Sequence, residues 1–140
     1  MPVGYSGTPL WKKLGCKPDS QMAVIAAPDE FDFDFDGIPS TIGVHRELKP
    51  EMDVILWFCF TVADVEIALA EGRKHMKSNA GLWISWPKKS SKIASELGDS
   101  LVRETGLVTG LVDTKVCAVN ANWSGLRFVV RLKDRSAPPP

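Results

Sequence analysis

The sequence predicts an α/β fold, a three-layer sandwich in which helices cover a mostly parallel sheet. Short apolar runs alternate along the chain with segments of helical periodicity. The run Asp53–Phe60 (DVILWFCF) is apolar almost throughout, which is typical of a parallel strand that is covered on both faces. The last two apolar runs are too close in sequence for a crossover helix and must pair antiparallel. We therefore expect about six strands, ending in an antiparallel β-hairpin.

The first half of the chain predicts one short helix and two strands before the central run. Thr8 precedes Pro9, which is the pattern of an N-cap residue followed by the residue favoured at the first helical position. A helix of one or two turns would then end at Gly15. The apolar run Met22–Ala27 predicts a buried strand, and a shorter strand is expected over Gly43–Glu47.

A helix is predicted to follow the central strand. Thr61 and Asp64 have the spacing of a capping box, and Asn79 and Gly81 are expected to end the helix. The run GLWISW then predicts a strand that ends at Trp86.

The remaining elements are predicted to be a helix and the closing hairpin. Ile93, Leu97 and Leu101 recur at four-residue intervals, which favours a helix over roughly Ala94–Thr105. The runs LVDTKVCAVN and LRFVVRL are the two hairpin strands. We expect residues 1–135 to form a single α/β domain, with residues 136–140 as a disordered Pro-rich tail.

Composition excludes several classes of protein. Lys plus Arg and Asp plus Glu balance at 17 each, so no overall field attracts nucleic acid or acidic membrane. No apolar run approaches the roughly 20 residues of a membrane helix, and no apolar core of a secretion signal follows Met1. A cytoplasmic location is expected. The three cysteines are widely spaced with no C-x-x-C pair, which argues against a zinc site and a disulfide framework. Cys59 and Cys117 lie in apolar runs and are expected core residues.

The stretch DFDFDG resembles the start of a calcium-binding EF-hand loop. Asp32, Asp34, Asp36 and Gly37 match positions one, three, five and six. Position twelve, where a bidentate Glu is needed, is Gly43, and a strand rather than a helix precedes the loop. We predict a packing segment, helical or extended, that buries its phenylalanine rings, and leave open whether the aspartates bind a cation adventitiously.

The ligand site of an open α/β sheet is expected beyond the carboxyl ends of its parallel strands. Lys88 and Lys89 follow one such end, and Ser90 and Ser91 are predicted to approach a helix N-terminus, which favours an anion site. A solvated basic loop is the alternative interpretation. The candidate ligand-binding residues are Thr8, Lys12, Thr61, Trp86, Lys88 and Lys89.

No catalytic residue, cofactor or metal is predicted. The segment after the first strand reads AAPDEFDFDF and lacks the glycines that let backbone approach a phosphate or a methyl donor. Glu47 is the one acidic candidate for holding a ribose at the end of the second strand. His45 and His75 lie far apart in sequence and assemble no catalytic set.

The predicted sheet resembles the Rossmann-like fold of class I methyltransferases, shortened in its N-terminal half. The segments GYSGTPLWKKLGCKP, LWISWPKKSS and VDTKVCAVNANWSGLRFVVR resemble a family of small bacterial proteins known as domain of unknown function 3052. The resemblance spans almost the whole chain and departs at FDFDFDG. It implies a bacterial, cytoplasmic, methyltransferase-like domain without an evident cofactor loop, and it implies no catalytic residue.

Three hypotheses follow. The first is a non-catalytic module that binds an anionic small molecule, such as a phosphate, or a protein partner, and neither nucleic acid nor membrane. The second is an enzyme derived from an S-adenosylmethionine-dependent methyltransferase, with its cofactor site rebuilt from other residues. The third is a structural protein that acts as a homodimer, paired through a sheet edge or exposed tryptophans.

Overall fold

The computed structural model describes residues 8–29, 31 and 37–135. The acidic motif Asp32–Asp36 and the predicted tail, residues 136–140, lie outside the described residues. Within the described ranges, no helix is both long enough and apolar enough to cross a membrane.

The elements follow the predicted alternation of strands and helices. Their bounds are α1 (Leu10–Lys13), β1 (Gln21–Ile25), β2 (Gly43–His45), β3 (Met52–Phe58), α2 (Val62–His75), β4 (Met76–Pro87), α3 (Asp99–Leu107), β5 (Leu111–Ala118), β6 (Trp123–Val130) and a 3-10 turn (Leu132–Asp134).

The strands form one six-stranded sheet in the order β2-β1-β3-β4-β6-β5. Strands β2, β1, β3 and β4 are parallel, whereas β6 is antiparallel to both β4 and β5. The predicted α/β class and closing hairpin are confirmed. Because β6 lies between β4 and β5, the carboxyl end of β5 lies at the same edge as the carboxyl ends of β1, β3 and β4. We call this edge the carboxyl edge.

Two hydrophobic clusters pack on opposite faces of the sheet. Helices α2 and α3 cover one face, here called the α2 face, through buried residues such as Leu69 and Val102. The other face, here called the α1 face, is covered by Trp11 and Leu14 of the α1 region and by loop residues such as Phe31 and Ile42. The covering layer on the α1 face is therefore thin, with one helical turn where the other face has two longer helices.

The predicted end of α2 was wrong. The helix ends at His75, and β4 begins directly at Met76 and continues through Gly81 to its end. Glycine fits inside this strand because a Cβ there would lie 2.6 Å from Nε of Arg127. Gly81 therefore gives room to a neighbouring side chain rather than ending a helix.

The predicted start of α3 was also wrong, because residues 94–98 are not helical and the helix begins at Asp99 after an N-cap at Gly98. Ile93 packs against the α1-face cluster, whereas Leu97 is buried on the α2 face. The segment between them therefore passes from one side of the sheet to the other. The four-residue spacing that predicted a helix arises here from two separate burial sites.

Candidate functional site

The topological switch point of the sheet lies between β1 and β3, since β1 pairs with β2 on one side and β3 on the other. Ala26, directly after β1, has φ of 58°, in the left-handed region where glycine is favoured. The turn thus keeps a conformation suited to glycine while carrying an exposed methyl group. This left-handed conformation costs about 1 kcal/mol for a residue with a Cβ atom.

At the N-terminus of α2, beside this switch point, backbone N–H groups donate hydrogen bonds to side-chain oxygen atoms of the chain itself. Thr61 and Asp64 form the predicted capping box, in which Asp64 N–H donates to Thr61 Oγ1 at 3.1 Å. The backbone N–H groups of Phe60 and Thr61 both donate to Asp64 Oδ2. Val62 N–H donates to Glu96 Oε1 at 3.4 Å. Thr61 therefore caps its own helix, and the Val62 and Asp64 N–H groups of the first turn already have partners.

Thr8 does not cap α1, contrary to the sequence-based prediction. The N-cap residue is Pro9, and no side chain caps the helix, which has a single turn. Lys12 is exposed, and its Nζ lies 5.7 Å from the centroid of the Trp11 ring. This contact is within the range of a cation–π interaction and holds the Lys12 stem along the edge of α1.

Trp86 and the two lysines that follow it differ in burial. Trp86 is buried on the α2 face and is part of that core. Lys88 is half-buried, and its backbone N–H donates to the Asn122 carbonyl at 2.8 Å. Lys89 is exposed. Trp86 therefore has a packing role in the α2-face core.

The predicted helix N-terminus beside the two lysines is absent. Ser91 closes a local turn, in which its backbone N–H and its Oγ both donate to the Lys88 carbonyl. Because α3 begins only at Asp99, Ser90 and Ser91 do not place free helix N–H donors at this point. An anion site here must depend on side-chain ammonium groups.

Cys117, which packs against the α1-face core, is influenced by the charges of three lysines. Burial raises the pKa of the Cys117 thiol, whereas the charges of Lys13, Lys115 and Lys88 lower it. Lys115 and Cys117 alternate along β5 and so lie on one face of the sheet, and Cys117 packs against the α1-face core. We call Lys13, Lys88 and Lys115 the basic cluster. Among the ion pairs formed by described residues, none involves Lys88 or Lys115.

Aromatic rings lie beside the basic cluster at the carboxyl edge. Trp123 packs edge-on against Phe58 and Phe60, with ring centroids 5.0 and 5.3 Å apart, and Phe31 packs against Phe58 at 4.9 Å. Phe60 is 39% exposed, whereas Trp123 is 1% exposed. The indole N–H of Trp123 is buried and has no hydrogen-bond partner among the described residues.

The other cysteines belong to the core. Burial raises the pKa of Cys16 and of Cys59 to about 12, with smaller contributions from Asp53 and Asp64 respectively. Both thiols stay protonated at neutral pH and are poor nucleophiles. In the described part of the chain, no group of three or more His, Cys, Asp and Glu side chains could hold a metal ion. Asp32, Asp34 and Asp36 fall outside that part.

Comparison with known proteins places the chain in a family. The family model for DUF3052, a protein of unknown function, matches residues 12–132. The chain belongs to the DUF3052 family. This confirms the resemblance carried by its sequence motifs. No curated protein matches this DUF3052 sequence.

Solved structures resemble the DUF3052 chain in fold. Fibrillarin, a pre-rRNA processing protein of Methanococcus jannaschii, is 11% identical with a TM-score of 0.53, covering 88% of this chain and 69% of its own. The tRNA methyltransferase TrmK of Bacillus subtilis is 13% identical with a TM-score of 0.53, covering 96% and 68%. A TehB-like S-adenosylmethionine-dependent methyltransferase of Corynebacterium glutamicum is 9% identical with a TM-score of 0.50, covering 87% and 85%. The fold is methyltransferase-like and Rossmann-like.

In this DUF3052 chain, Lys88 is recognisable from the sequence as a candidate ligand-binding residue, whereas Lys13, Lys115 and Phe60 were not predicted to lie in the same region. The alternation of Lys115 and Cys117 in β5 was a usable signal, because it places both side chains on one face. The position of Lys13 was not available from local sequence. It depends on α1 packing across β4, where Trp83 contacts the backbone of Leu14.

Proposed function

We propose that this DUF3052 protein binds an anionic small molecule of the phosphate type at the basic cluster. The observation that carries the proposal is that Lys115 shares a sheet face with Cys117 in β5, and that the charges of Lys13, from α1, and Lys88, after the β4 end, also act on the Cys117 thiol. Several ammonium groups that act on one position are typical of phosphate binding.

The expected affinity is modest. A hydrogen bond to a charged group contributes about 1.5–3 kcal/mol, so three lysine contacts supply roughly 5–9 kcal/mol before the entropic cost of association. We therefore expect a Kd for inorganic pyrophosphate on the order of 1 mM at low ionic strength. Partly exposed charges are screened by salt, so this affinity should fall when the ionic strength is raised.

Isothermal titration calorimetry with pyrophosphate tests the proposal. Lys88→Ala and Lys115→Ala should each weaken binding about tenfold, which corresponds to about 1.4 kcal/mol. Lys133→Ala is the matched control, because Lys133 is exposed in the turn after β6, at the opposite edge of the sheet. Pyrophosphate binding that is absent, or that is equally weakened by Lys133→Ala, would contradict a site at the basic cluster.

A methyltransferase-derived enzyme is the second candidate function. The left-handed backbone of Ala26 at the switch point supports it, since unusual backbone conformations concentrate at functional sites. This function predicts binding of S-adenosylhomocysteine at the carboxyl ends of β1 and β3. Such binding should be unchanged in Lys88→Ala and Lys115→Ala, which separates it from binding at the basic cluster.

A further inference from the structure

The exposed ring of Phe60 adds a second type of contact beside the basic cluster. Phe58 and Phe60 are two positions apart, and Phe58 packs within the α1-face core. The Phe60 ring packs against Trp123 of the same core, yet it is 39% exposed. An exposed aromatic ring, supported from one side by a fully buried ring, is a rigid platform for a planar group.

The register of the sheet fixes how far this platform lies from the lysines. Cys59 N–H donates to the Ser85 carbonyl, Pro87 pairs with Trp123, and Gly125 pairs with Cys117. Phe60, the β4 end and the start of β6 are therefore level at the carboxyl edge. Adjacent strands lie about 4.8 Å apart, so Phe60 is about 5 Å from the β4 end that precedes Lys88 and about 14 Å across the sheet from β5. Lys115 pairs with Arg127, which also pairs with Trp83, so it lies about 13 Å back from the carboxyl edge along β5.

We infer that the anion bound by the basic cluster is a nucleoside phosphate, with its base against Phe60 and its phosphates toward Lys88 and Lys115. This inference rests on the proposed function and adds the chemical class of the ligand. A nucleoside diphosphate has a planar ring at one end and charged groups at the other, so its base can lie against Phe60 while its phosphates extend past Lys88 over the α1 face, where Lys115 and Cys117 lie.

Titration calorimetry with ADP, UDP and pyrophosphate tests the inference. The wild-type protein should bind both nucleotides about tenfold more tightly than pyrophosphate, because base–aromatic stacking accepts any base. Phe60→Ala should abolish this difference and leave pyrophosphate binding unchanged, whereas Phe60→Trp should retain it. Ile67→Ala is the matched control, since Ile67 is also an exposed apolar side chain, 56% exposed, on α2.

The outcomes separate the two proposals. Equal affinities for ADP and pyrophosphate, or an ADP preference that survives Phe60→Ala, would overturn the nucleotide inference while the anion site stands. Absence of binding for all three compounds would overturn both. A preference that Phe60→Ala removes and Ile67→Ala retains supports the nucleotide site, provided that circular dichroism shows both variants folded.

Discussion

The indole N–H of Trp83 in β4 donates a hydrogen bond to the backbone carbonyl of Leu14, at a distance of 2.9 Å. Both residues are fully buried, and the contact joins the centre of the sheet to the end of α1. Because Lys13 directly precedes Leu14, the same contact helps to position one member of the basic cluster. One hydrogen bond thus links Trp83 in the core to the α1 segment that carries Lys13.

Trp83→Phe should destabilise the protein by about 2–4 kcal/mol, because it leaves the Leu14 carbonyl buried without its donor and creates a cavity. Urea denaturation followed by circular dichroism measures this loss. Trp57→Phe is the control, since Trp57 is half-buried in the adjacent strand. An equal loss in the two variants would show that volume rather than the hydrogen bond determines the cost.

Ala26→Gly should stabilise the protein by up to about 1 kcal/mol, because glycine adopts a positive φ without the steric cost of a Cβ atom. Ala27→Gly should have the opposite sign, since Ala27 does not have a positive φ. The midpoints of urea unfolding, compared with wild type, show whether each variant is stabilised or destabilised. Destabilisation by Ala26→Gly would show that the Ala26 methyl group contributes more by contact than it costs in strain.

Gly106→Ala should destabilise the protein by about 1–3 kcal/mol or more through overpacking. A Cβ at Gly106 would lie 2.1 Å from the Phe128 ring, which is completely buried and has no free space into which to move. Gly98→Ala is the comparison, because the nearest atom to a Cβ there is 3.9 Å away. In thermal unfolding, the midpoint temperature of Gly106→Ala should be well below that of Gly98→Ala.

Stability should fall at alkaline pH because the folded protein holds the protons of Cys16 and Cys59. Their pKa values are raised to about 12 from an ordinary value of 9.0, so the contribution is complete below pH 9 and is lost as the pH rises toward 12. Across this window each thiol should lower the free energy of unfolding by roughly 1 kcal/mol per pH unit.

Urea titrations at several pH values between 8 and 11 test this dependence. Cys59→Ala should remove about half of the thiol contribution to the slope, so the difference in stability between wild type and variant should shrink as the pH rises. A constant difference across this range would show that the folded and unfolded states release the Cys59 proton at the same pH.

The sequence predicted the sheet well because its strands are long apolar runs whose burial depends on local composition. The central strand β3 and the antiparallel pairing of β5 with β6 were both predicted from such runs. The α3 start failed because Ile93 and Leu97 are buried on opposite faces of the sheet, which sequence spacing cannot distinguish from one helical face.

The candidate site was predicted only in part, since it depends on tertiary contacts. Lys88 was found because it follows a strand end. Phe60 follows β3 and lies beside the β4 end because β3 pairs directly with β4, whereas Lys115 lies on β5, which β6 separates from β4. Thr61 has the polar side chain expected of a ligand-binding residue, but it caps α2. Trp86 has a ring that could stack on a ligand, but it is packed in the α2-face core.

A crystal structure of the protein grown with a nucleoside diphosphate tests the central claim most directly. We expect the phosphates within hydrogen-bonding distance of Lys88 and Lys115 and the base against the Phe60 ring. A nucleotide seated instead over Ala26, between the ends of β1 and β3 and away from these lysines, would contradict the account and favour a cofactor site at the switch point.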